Sequence, residues 1–163
     1  MKKLTAIICL TIAVLLGSAG MSESADFQKG LAAAQSGDYA TARRIWTPLA
    51  EQGHSTAAYN LGTMYIFGHG VSPDDKIALK WHSLAAEHGH LPAMTSLGWK
   101  YATGGVVKKD RVRAHMWWNI AAASGYKNAV KARDKIEKKM TPAQIAEAKK
   151  LARECSRKEL KGC

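Results

Sequence analysis

Apolar positions along this chain recur at three- and four-residue spacing, the pattern of helices that each bury one face. Residues 26–35 and 39–52 form a first helical pair broken by Ser36-Gly37-Asp38, with Ala42, Ile45, Trp46 and Leu49 on the buried side of the second helix. A helix over 56–67 follows, carrying Ala58, Leu61, Gly62 and Tyr65 on one face. Its partner opens at Ser72-Pro73-Asp74-Asp75, where Ser72 suits the cap, Pro73 the first helical position and the two acids the positive helix end. Trp81, Leu84 and Ala85 mark the core side of that helix. Further helices are expected over 92–103, 109–124 and 127–139. A last one begins at the capping box Thr141-Pro142-Ala143-Gln144 and runs to about Glu159, with Ile145, Ala148, Ala152 and Cys155 inward. No stretch alternates with period two, so the predicted fold class is all-α.

The pattern is written twice at a fixed offset of thirty-six residues, His54–Gly89 over His90–Gly125. Ala57, Leu61, Gly62 and Tyr65 align with Ala93, Leu97, Gly98 and Tyr101, and Gly68, Val71 and Asp74 with Gly104, Val107 and Asp110. Ala78, Trp81, Ala85, Ala86 and Gly89 align with Ala114, Trp117, Ala121, Ala122 and Gly125. A period of this length belongs to stacked units that bury their apolar faces only against neighbours. A glycine in mid-helix costs up to about 1 kcal/mol against alanine. Its recurrence at Gly62 and Gly98 therefore predicts close approach of a second helix. The register makes Trp117 a core residue like Trp81 and leaves Trp118, over His82, partly exposed. Ala42 and Gly53 stand one period before Ala78 and Gly89, so residues 26–53 form a degenerate first unit.

The run Ala57-x-x-x-Leu61-Gly62-x-x-Tyr65-x-x-Gly68-x-Gly70-Val71-x-x-Asp74-x-x-x-Ala78-x-x-Trp81-x-x-x-Ala85-Ala86-x-x-Gly89 resembles a Sel1-like repeat, a relative of the tetratricopeptide repeat. The second copy departs from it at Val106, where the first has Gly70. The resemblance implies antiparallel helix pairs stacked into a right-handed α-α superhelix, with the first helix of each pair lining a concave groove. It also implies a non-catalytic scaffold or adaptor that holds a protein or peptide partner in that groove.

Composition changes this picture at both ends. Lys2 and Lys3 precede the apolar run Leu4–Leu16 and the small residues Gly17-Ser18-Ala19-Gly20, the pattern of a secretory signal peptide over residues 1–25 with its cut between 19 and 25. Export to the bacterial periplasm or beyond follows as an expectation. Removing that segment takes Cys9 away and leaves Cys155 and Cys163, an expected disulfide in an oxidising compartment. Eight residues of unbroken helix would separate the two by about 12 Å, so the bridge requires the chain to fold back after Leu160, with Lys161-Gly162 allowing the turn. The formal net charge is +11, and residues 127–163 hold twelve Lys and Arg against five Asp and Glu. Such basic capping helices, 126–163, suit an acidic envelope polymer such as peptidoglycan as a second reading of the partner. Export makes nucleic acid an unsuitable one.

No catalytic constellation emerges, so no catalytic residue, cofactor or metal is assigned. His88-x-His90 lacks further ligands at the right spacing. Ser124-x-x-Lys127 matches the bare Ser-x-x-Lys pattern without its companion motifs. A cell-wall-acting enzyme is the third reading. The expected groove comprises Tyr59, Asn60 and Thr63 in the unit at 54–89 and Thr95, Ser96, Trp99 and Thr103 in the unit at 90–125, aromatic area interleaved with short polar groups. Phe67 is expected to pack against the neighbouring unit, and Trp99 suits either the groove or that packing.

Overall fold

A computed structural model describes residues 22–163. Residues 1–21, which hold most of the expected leader and the start of its cut region, lie outside the described residues. Helix α1 covers residues 22–35, starting earlier than the sequence pattern indicates. It is followed by α2 (Tyr39–Glu51), α3 (Ser55–Phe67), α4 (Asp75–Glu87), α5 (Leu91–Thr103), α6 (Arg111–Ala123), α7 (Lys127–Glu137) and α8 (Pro142–Arg157). Among the described residues there is no strand. Helices pack as sequential pairs, α3 on α4 and α5 on α6, with α2–α3 and α4–α5 contacts joining one unit to the next. Helix α6 is then covered by both α7 and α8, which close the stack.

Local chemistry sets the helix starts, and here one expectation is corrected. Asp74, not Ser72, caps α4, its carboxylate accepting from the Lys76 and Ile77 amides at 2.8 and 3.0 Å. Pro73 therefore lies before the helix. Asp110 caps α6 in the same way through the Arg113 amide. A carboxylate at the cap satisfies otherwise orphaned amides and meets the positive helix end. The capping box at Thr141 forms in both directions, Thr141 with Gln144. Between α5 and α6 the loop takes positive φ at Gly104 and Gly105, whereas the loop between α3 and α4 uses Gly68 and Gly70. Val106 departs from the repeat because the second loop moves its left-handed turn one residue earlier, onto Gly105.

The core is a row of sockets. Trp46 in α2, His82 in α4 and Trp118 in α6 stand one period apart, and each is at most 3% exposed. Each ring lies against a glycine of the preceding helix. A Cβ on Gly30 would sit 2.4 Å from Trp46 Nε1, on Gly62 2.2 Å from His82 Cδ2, and on Gly98 2.3 Å from Trp118 Nε1. All three distances are below any van der Waals contact, so the mid-helix glycines are demanded by the rings. Trp118 is consequently buried, at 1% exposure, rather than partly exposed. Its indole N–H donates to the Thr95 carbonyl at 3.1 Å, as Trp46 does to the Phe27 carbonyl at 3.4 Å. Trp117 is in the core as its register predicts, while Trp81 and Leu84 are only partly buried.

The chain reverses after α8 and carries Cys163 back to Cys155, closing the disulfide with Cα atoms 5.7 Å apart. The reversal falls on Glu159 and Leu160, whose φ values of 52° and 69° are left-handed, with Gly162 at 66°. It begins at Glu159, before the expected Lys161-Gly162, and Gly162 takes part in it. The Leu160 amide donates to the Cys155 carbonyl and the Gly162 amide to a Glu87 carboxylate oxygen, which docks the tail on α4.

Candidate functional site

The expected groove residues lie on α3 and α5, and the structure sorts them by accessibility. Trp99 is 48% exposed and is braced edge-on by the buried Trp118, ring centroids 5.0 Å apart. Asn60, Thr63 and Ser96 are half-buried and Thr103 is exposed. The hydroxyls of Thr63, Ser96 and Thr103 donate to the carbonyls four residues earlier, of Tyr59, Pro92 and Trp99. Their protons are thereby committed to their own helix, and only the oxygen lone pairs face outward.

Three positions differ from expectation. Thr95 is buried at 8% exposure, its hydroxyl bonded to the Leu91 carbonyl, and it roofs the Trp118 socket rather than facing a groove. Tyr59 is half-buried and stacked between two imidazoles, 5.1 Å from His82 and 4.6 Å from His90. It joins two units and offers little face to a partner. Phe67 does not pack into the neighbouring unit. It is 66% exposed and stacks on His69, which in turn stacks on Tyr39.

Two sets of residues were missed by sequence reasoning. His54 and His90 are helix caps, each Nδ1 accepting from the amide three residues on, Ala57 at 3.2 Å and Ala93 at 3.3 Å. Each ring also stacks on an aromatic ring of the unit before it, Phe27 for His54 and Tyr59 for His90. Their recurrence directly after Gly53 and Gly89 was the available signal. Burial lowers the pKa of His90, which favours the neutral ring that an accepting Nδ1 requires. The second set is a cleft of about 650 Å³ between α5, α6 and α8. Leu91, Met94, Ile120 and Leu160 give it apolar walls, and Arg153 and Arg157 stand on one side. No periodic pattern on a single helix announces a cleft built from three.

The remaining polar groups are structural. His115, fully buried on α6, shares a 2.6 Å hydrogen bond with Glu137 of α7 and so ties the capping helices to the last repeat. Ser124 ends α6, and Lys127 begins α7 as an exposed residue. Among the described residues no group of three or more His, Cys, Asp or Glu side chains converges on a point that could hold a metal ion. What the surface offers chemically is shape, aromatic and aliphatic area, and positive charge.

Stacked antiparallel helix pairs with an intra-unit socket and inter-unit ring stacking define a helical-repeat solenoid. The Sel1 repeat matches residues 55–90 and again 91–126, one residue later than the boundaries read from the pattern. A solved Sel1 repeat protein from Oxalobacter formigenes shares 30% identity over 77% of this chain and 97% of its own, with a TM-score of 0.65. This chain belongs to the Sel1 repeat family. It is also similar, at 27% identity and a TM-score of 0.77, to a protective antigen of uropathogenic Escherichia coli strains displaying an SLR fold. That match covers 85% of this chain but only 30% of the antigen. A search of curated proteins finds no match. Sel1-like repeat proteins generally mediate protein–protein interaction, and the family is typically a non-catalytic scaffold.

Proposed function

We propose that this protein is an exported, non-catalytic adaptor of the bacterial envelope that seats a partner polypeptide on the α3–α5 face around Trp99. The carrying observation is that Trp99 stays 48% exposed although a buried indole fixes it from beneath. An immobilised aromatic side chain loses little further entropy on binding, which is the character of an interface hot spot. The half-buried Asn60 and Thr63 of α3 and Ser96 of α5 add short polar groups to the same pair of helices, whose lone pairs suit the amides of a peptide backbone. The leader-like segment and the Cys155–Cys163 bridge both favour an oxidising compartment.

The test is a photo-crosslinking residue at position 99 in the exported protein, with adducts identified by mass spectrometry. A discrete protein adduct is expected, and Asn60→Trp, which adds bulk on the α3 side of the proposed groove, abolishes it. Adducts with cell-wall fragments alone, or none, overturn the reading.

A further inference from the structure

The cleft between α5, α6 and α8 carries chemistry the Trp99 face lacks. Its floor is aliphatic and thioether, from Leu91, Met94, Ile120 and Leu160, and its one charged wall is Arg153 and Arg157. The two arginines stand one turn apart on α8, so both lie on the same side of that helix. Among the described residues neither lies within salt-bridge distance of a carboxylate. No acidic side chain lines the cleft at all. Both guanidinium groups are exposed, each with a fork of donors that matches a carboxylate in two parallel hydrogen bonds.

The cleft is also held in shape. Leu160 forms its end wall with a left-handed φ of 69°, a backbone region that leucine rarely adopts. The adjacent Cys155–Cys163 bridge and the Leu160 amide bonded to the Cys155 carbonyl keep it there. Asn119 and Ser124, on and at the end of α6, add side-chain hydrogen-bonding groups to the lining, suited to the backbone of an inserted segment.

We propose that this cleft is a second docking site, independent of the Trp99 face, for a polypeptide segment that places Asp or Glu beside aliphatic side chains. Charge complementarity selects acidic partners for the unpaired Arg153 and Arg157. The aliphatic floor selects polypeptide over polysaccharide, because no aromatic ring lines the cleft to stack on a sugar face. The Met94 thioether lets the floor adapt to Leu, Ile or Val.

A fluorescence-anisotropy titration tests this with synthetic twelve-residue peptides alternating Leu with Glu, and with the same peptides carrying Gln for Glu. The expected result is saturable binding of the Glu peptides, weakened about tenfold by each of R153Q and R157Q in the full chain and by the Glu-to-Gln exchange. W99A leaves it unchanged, which separates this site from the other face. The exposed arginines are not part of the core, and a circular-dichroism melt confirms that the variants fold. No saturable binding overturns the proposal. So does equal binding by R153Q/R157Q, or equal binding of poly-glutamate and of phosphatidylglycerol vesicles, which would reduce the cleft to a charge without a floor.

Discussion

The α3–α4 and α5–α6 units share one backbone plan but fill the same socket differently. In α5–α6 the ring is Trp118, whose N–H reaches the Thr95 carbonyl at 3.1 Å. In α3–α4 it is His82, whose Nε2 faces the equivalent Tyr59 carbonyl but closes no hydrogen bond of ordinary geometry and is left buried without a partner. The residue above the ring changes in the opposite sense. Small Thr95 covers the large indole, and large Tyr59 stacks on the smaller imidazole. Volume is conserved across the pair while polar satisfaction is not. The repeat motif thus specifies how much space a unit encloses, and leaves open whether the enclosed group can titrate.

Truncating each ring breaks the comparison hardest. Trp118→Ala removes a buried indole and its hydrogen bond and is expected to cost about 4 kcal/mol. His82→Ala removes less volume and relieves an orphaned nitrogen, so its cost is expected to be about half as large. Urea denaturation midpoints compare the two directly, and equal losses would show that the sockets are energetically alike.

Of the two sockets, acid acts only on the one that holds an imidazole. Burial, then the nearby Lys100 cation, pushes the pKa of His82 down from 6.5 to about 4. Because the folded value is the lower, the unfolded chain binds the proton more readily. Stability is therefore complete above about pH 6.5, falls as pH drops toward 4, and levels off below that. The size of the loss is about 3 kcal/mol. His82→Gln is expected to flatten this part of the stability profile, measured as thermal midpoints between pH 7 and pH 4. An unchanged slope would mean that another group titrates.

The mildest manipulation sharpens the comparison by exchange. His82→Trp alone overfills the α3–α4 socket beneath Tyr59 and is expected to destabilise by about 2 kcal/mol. Adding Tyr59→Thr recreates the Thr95–Trp118 arrangement and should recover most of that loss. Additive effects in the double-mutant cycle would show that the two positions do not exchange volume.

What the sequence made legible followed from periodicity. Helix order, the pairing of units and the demand for glycine at Gly62 and Gly98 all came from positions that recur. The α4 cap was misread because Ser72-Pro73 satisfies local start rules by itself. Only the recurrence of Asp74 at Asp110 pointed to the residue that does cap. The register reads Trp118 as partly exposed because its partner there is a histidine, a residue that composition alone treats as polar. The glycine opposite was the better guide, since a missing side chain on one helix implies a large one on the next. Thr95 was counted as surface for the same reason, although its hydroxyl is spent on its own helix. The cleft was invisible because its walls come from helices separated by tens of residues, and tertiary placement decides which side chains meet.

Each socket is complete within one unit, glycine and ring together, whereas the capping histidine touches a ring from the unit before: Phe27 with His54, Tyr59 with His90. A duplication of thirty-six residues thus copies one whole socket and one whole junction, whatever its breakpoint, because the cut at one end of the insert is healed by the matching sequence at the other. Growth by unequal recombination requires no new interface to be invented. The ring-on-ring junction is what makes the architecture heritable in whole steps.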